Sequence, residues 1–160
     1  MGSLIFHSSA TAQWYTLIGE ATSSAGVKLN AELESYLVLM LMRNVTKQTL
    51  FEQAVATEFL ESYAYRGQLR QHQLREVADK CLLNAGLFPK YGRRFRLNEN
   101  YYTKIGRSAY WQLADTTEED LSLLYSQLCT KFTILKNVLI AARKPTMELS
   151  QIPPFFSRLV

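Results

Sequence analysis

The chain has 160 residues, 48% of them apolar and 20% charged, with a formal net charge of +4, two cysteines, seven glycines and four prolines. That mix belongs to one ordinary globular domain with enough apolar residues for a real core, with no sign of disorder and no need of disulfide staples. The scarcity of turn-forming residues predicts an all-α fold: a bundle of about six helices over residues 1–144, with a non-helical, extended tail at 145–160.

Net charge hides an asymmetry. Residues 1–65 carry −3, residues 66–107 carry +7, and residues 108–160 are neutral. The longest unbroken apolar run, Tyr36–Met42, is seven residues, against roughly 20 needed to span a bilayer. There is no basic segment followed by an apolar stretch and a small-residue cleavage site, so no signal peptide is expected. Two cysteines make no disulfide framework. A cytoplasmic protein without membrane partners is the expectation.

A first helix is expected after a cap at Ser8 or Ser9, with Leu4, Ile5 and Phe6 as an apolar arm ahead of it. Ala10, Trp14, Leu17, Ile18 and Ala21 form its buried face, and Ser23–Gly26 ends it. Asn30 caps a second helix with Glu32 and Glu34 in its first turn, where the helix dipole favours carboxylates. From Leu33 to Val45 this helix is apolar on nearly every side, which predicts a surrounded helix at the centre of the bundle or at a subunit interface. A third helix is expected over Thr46–Arg66, stopped by Gly67, with Phe51, Val55, Phe59 and Tyr63 inward and Glu52, Glu58 and Glu61 on other faces.

The fourth helix buries Leu74, Val77, Ala78, Cys81, Leu82 and Ala85. Its outer face is expected to pair Arg75 with Asp79 and Glu76 with Lys80 at i, i+4. Gly86 at C′, Leu87 at C″ and Pro89 beyond predict a Schellman stop. A basic loop follows, and Asn98 then caps a fifth helix to about Ala114, with Tyr101, Ile105, Ala109 and Leu113 inward and Tyr102, Gly106 and Tyr110 beside them. Thr116 and Thr117 stand at capping-box distance from Glu119 and Asp120. A sixth helix of roughly 26 residues, about 39 Å, reaches Arg143 on a stripe from Leu121 to Ala142. It is expected at the centre beside the second. The tail, with Ile152-Pro-Pro-Phe-Phe, has no helical or strand period, and its two phenylalanines predict docking on the bundle or a neighbouring subunit.

No catalytic motif is present. His7 and His72 lack the partners of a helical metal site, and Glu58 and Glu61 share a face without the histidine of a Glu-x-x-His pair, so neither metal nor cofactor is expected. Cys81 and Cys129 fall on or beside apolar stripes, as inert buried thiols do. The functional signal is cationic and aromatic: Lys90, Arg93, Arg94 and Arg96 interleave with Tyr91 and Phe95. Lys104, Arg107 and Trp111 follow at i, i+3 and i+7. If the loop folds over the fifth helix, these form one binding surface. Such a surface suits an acidic protein, nucleic acid or a smaller anion, although no nucleic-acid motif is present. Its arginines could instead pair with carboxylates of the second and third helices.

From CLLNAGLFP through the basic loop to YYTKIGRSAYWQLA, and in ELESYLVLMLMR (32–43) and FLESYAYRGQLR (59–70), the chain resembles an uncharacterised family of small all-helical proteins of gamma-proteobacteria. The resemblance spans most of residues 10–142 and leaves the tail outside. It implies an all-helical fold and carries no catalytic residue. The function expected is binding, as a homodimeric protein-interaction or adaptor protein. The alternatives are a nucleic-acid- or anion-binding protein, and an enzyme or small-ligand carrier with a cavity near Tyr101, Tyr102 and Tyr110.

Overall fold

The computed structural model describes residues 2–44, 55–87 and 99–143, with the side chains of residues 2–9 and 99 excepted. Seven α-helices and one short 3-10 turn make up this part of the chain, and no strand occurs among the described residues. They are α1 (Gly2–Ala25), α2 (Ala31–Asn44), α3 (Val55–Glu61), the 3-10 turn (Ser62–Ala64), α4 (Gly67–Gly86), α5 (Glu99–Thr116), α6 (Glu119–Thr130) and α7 (Phe132–Arg143). One apolar core draws on all seven α-helices. The 45–54 stretch, the basic loop with Lys90, Arg93, Arg94 and Arg96, and the tail lie outside the described residues.

The first helix starts earlier than its serines suggest. It runs from Gly2, so Leu4–Phe6 continue the helix and Ser8 and Ser9 are interior positions. Its predicted face holds from Trp14 onward, with Trp14, Leu17, Ile18 and Ala21 buried, whereas Ala10 is exposed. Gly26 ends it at φ +71°, a backbone conformation that costs glycine little. The cap of α2 is as expected: Asn30 Oδ1 accepts from the Leu33 N–H at 2.9 Å, while its amide donates to Gln127 of α6. Yet α2 is not surrounded. Leu33, Leu37, Val38, Met40 and Leu41 are buried, but Leu39 is 54% exposed, so one side stays open.

The centre belongs to α4, which packs against α3, α5 and α7, most extensively against α5. Every residue from Val77 to Leu87 is buried. This corrects the expectation of a bundle built around the second and sixth helices. Both ends of α4 also differ from the sequence reading. Gly67 at φ +62° lies at its first turn rather than stopping a long third helix, which closes instead through the 3-10 turn after Glu61. Gly86 is no Schellman residue, because its φ is not positive and the helix continues through it, the Leu87 N–H donating to the Leu83 carbonyl. What Gly86 supplies is closeness: a Cβ there would lie 2.6 Å from Leu139 Cβ on α7.

The long sixth helix divides into two. Lys131, at φ −101° and ψ 16°, leaves the helical region and separates α6 from α7. The apolar stripe passes through the break, with Tyr125, Leu128, Phe132, Leu135, Leu139 and Ala142 buried, although Leu121 is exposed. The capping box does not form. Glu118 is the N-cap and makes no side-chain cap bond. Thr116 and Thr117 turn their hydroxyls back to accept duty at the end of α5, each donating to the Leu113 carbonyl.

Gly106 shows how tightly α4, α5 and α7 meet. A Cβ at this position would lie 2.6 Å from Phe132 Cε2 and 2.8 Å from Cys81 Cβ, whereas one at Gly19 of α1 would meet nothing within 4 Å. Gly106→Ala is expected to destabilise the fold by about 1–3 kcal/mol through overpacking. Gly19→Ala should stabilise it by about 0.5–1 kcal/mol through helix propensity. Urea denaturation midpoints of the two variants check both signs.

Candidate functional site

Two polar constellations stand out, one inside the bundle and one on its surface. The inner one starts from Asp79, which i, i+4 spacing assigns to an outer ion pair with Arg75. In the fold Asp79 is fully buried. Its Oδ1 accepts from the Tyr36 hydroxyl at 2.5 Å and the Tyr110 hydroxyl at 2.7 Å, and its Oδ2 accepts from the Arg43 guanidinium at 2.8 Å. Three donors from α2 and α5 thus converge on one carboxylate of α4. The rings enclosing it also touch one another: Tyr110 stacks on Tyr125 and meets Phe132 at a tilt, while Tyr36 lies edge-on to both tyrosines.

The next residue reaches another helix. Lys80 is also buried rather than paired along α4 with Glu76, and its Nζ lies 3.0 Å from both carboxylate oxygens of Glu58 on α3. The expected outer pairs of α4 are therefore both replaced by long-range buried ones. The reason is geometric, since the wide contact of α4 with its neighbours leaves this face no solvent to point into. Glu58, expected on an outer face, is drawn inward with Lys80.

Burial pushes the Asp79 carboxyl above its ordinary value of 3.8, against the opposing pull of the two tyrosine hydroxyls and Arg43. Burial and the neighbouring Asp79 carboxylate hold the Tyr36 and Tyr110 phenols well above their usual range. Burial works against the charge of Arg43, but Asp79 outweighs it and raises the guanidinium. These phenols thus stay protonated at neutral pH and act as fixed donors. Tyr101 and Tyr102, the other two residues of the expected tyrosine-lined cavity, meet edge to face at 5.1 Å. Burial lifts the Tyr102 phenol to about 12. Tyr101 accepts a hydrogen bond from the Ala56 N–H.

The surface constellation contains the three described residues of the predicted site. Lys104, Arg107 and Trp111 lie together on α5, and with Thr103, Ser108, Gln112 and Cys129 they line a shallow, open groove of about 560 Å³ between α5 and α6. Arg107 Nε donates to the Cys129 carbonyl at 3.2 Å, which fixes the guanidinium stem against α6. Trp111 leaves 61% of its surface in solvent. One edge of the groove is reinforced by residues that no motif singles out. Gln112 donates to the Tyr63 hydroxyl and accepts from Arg70, whose guanidinium sits 5.4 Å from the centre of the Tyr63 ring. This edge joins the 3-10 turn, α4 and α5, and only tertiary structure brings it together.

Cys81 and Cys129 are free and buried. Among the described residues no group of three or more His, Cys, Asp or Glu is placed to hold a metal ion. No described helix is long and apolar enough to cross a membrane. Comparison with protein-family models, curated proteins and solved structures finds no match.

The carboxylate at position 79 can be tested in two steps. Asp79→Ala removes the acceptor of three donors and should cost about 3 kcal/mol or more. Asp79→Asn keeps an oxygen for both tyrosines but turns an amide N–H toward Arg43, so its cost should be smaller. Because the folded carboxyl titrates above 3.8, its favourable contribution is fully present below that pH and is lost as pH rises through the higher folded value. Wild type should therefore gain stability relative to Asp79→Asn as pH falls from neutral toward 3.8. Urea unfolding of both proteins across that range measures the gap.

Proposed function

We propose that this protein acts by docking another protein on the exposed face of α5 centred on Trp111. The observation that carries this reading is a large, mostly solvated indole flanked on one helix by two cations, Lys104 and Arg107, in an open groove. An indole of this kind is a frequent anchor at protein interfaces, because it buries much apolar area at low conformational cost. Cations around it select an acidic partner surface and speed encounter. In sequence, Lys90, Arg93, Arg94 and Arg96 precede α5 and carry the same sign of charge.

The groove's shape supports docking over enclosure of a small ligand. It is shallow and open, whereas small-ligand sites bury most of the molecule they bind. The free cysteines fit a reducing compartment and support a cytoplasmic setting.

Immobilised protein should retain a partner from native lysate at low salt, lose it at high salt, and fail to retain it when Trp111→Ala and Arg107→Glu are combined. Equal retention by wild type and variant would refute this reading. Retention abolished by nuclease would favour nucleic acid as the ligand instead.

A further inference from the structure

Helix α5 carries both signs of charge along one face, and Trp111 stands at the midpoint. Arg107 lies four residues before it and Asp115 four residues after it. Lys104 lies seven before, and Glu118, the N-cap of α6, lies seven after. At 100° per residue, Lys104, Arg107, Ser108, Trp111 and Asp115 share a roughly 100° arc of the helix. Lys104, Arg107, Trp111, Asp115 and Glu118 are all exposed. Among the described residues, neither Lys104 nor Asp115 has an ion-pair partner.

Resting on the docking reading above, we infer that the occupant of this face is a second copy of the same chain, with the two α5 helices antiparallel and Trp111 on the twofold axis. A twofold interface is self-complementary, so each contact of residue i with residue j occurs twice. Turning α5 about an axis at Trp111 sets Arg107 against the partner's Asp115. It also directs Lys104 toward the partner's Glu118, where Glu119 and Asp120 add further negative charge. The two indoles meet at the centre, and the shallow groove beside each gives the facing helix room to approach. A parallel arrangement would instead face like charge with like, so the pattern selects the antiparallel one.

Charge exchange tests this in purified protein. Wild type should sediment at twice the 18.4 kDa chain mass at micromolar concentration and dissociate as salt rises. Arg107→Asp alone places carboxylate against carboxylate at two symmetric positions. Asp115→Arg alone places guanidinium against guanidinium. Each should weaken association by about tenfold or more. Combining both changes in one chain restores both pairs and should restore the dimer. Mixing the two single variants should also give a dimer, because each chain then offers what the other lacks. Circular dichroism of these exposed-site variants confirms that folding is unaffected.

A wild type that sediments as a monomer at low salt overturns the inference, as do single variants that remain dimeric or a mixture that does not associate. A monomeric protein that still captures a Trp111-dependent partner from lysate overturns self-pairing alone and leaves the docking function standing.

Discussion

The bundle is organised by the carboxylate of Asp79. A buried carboxylate is costly unless its lone pairs are met, and here two phenols and a guanidinium meet them. Because the donors come from α2 and α5, satisfying this one group fixes both helices against α4. The placement of Tyr36 and Tyr110 follows from the same requirement, since their phenols can reach the carboxylate only if their rings line its walls, and Tyr125 and Phe132 pack against those rings. Apolar contact alone would allow α2 to slide along its neighbours. Hydrogen bonds to a single point do not.

Lys80 extends the constraint by one residue in another direction. Adjacent positions on a helix lie 100° apart, so Asp79 and Lys80 can tie separate helices to α4 from neighbouring Cα atoms. Polar contacts thereby hold α2, α3 and α5 to α4, while α7 comes close to α4 at Gly86 and to α5 at Gly106. Specific registration and tight approach thus divide the work around one central helix. The exposed face of α5 is built on this frame: Tyr110 points inward to Asp79 while Trp111, the next residue, points outward.

Much of the architecture was legible in the sequence. The stripe Leu74, Val77, Ala78, Cys81, Leu82 and Ala85 identified the buried face of α4, because apolar period depends only on local geometry. The Asn30 cap was legible for the same reason. Asp79 and Lys80 were misread because i, i+4 partners offered a local solution, while the partners the fold uses lie 22 to 43 residues away. Gly86 was misread because a glycine at a helix end serves a turn or a close contact, and sequence does not separate the two. Lys131 breaks a helix whose apolar period runs on uninterrupted. Of the expected site, the association of Lys104, Arg107 and Trp111 followed from helical spacing. The Tyr63–Arg70–Gln112 edge did not, since it draws on three separate elements.

Asp115 sits in the last turn of α5, where the helix macrodipole presents its negative end. A carboxylate there is opposed by the helix that carries it, at a cost typically near 0.3–1 kcal/mol. In the paired arrangement, the guanidinium of a second chain supplies the positive charge that helix ends ordinarily obtain from their own sequence. In that proposed pairing, a residue that weakens α5 in isolation is the one that makes its face selective. Selection for a more stable single chain would remove Asp115, and selection for assembly would keep it. In the proposed pairing, this position sets monomer stability against association through one side chain.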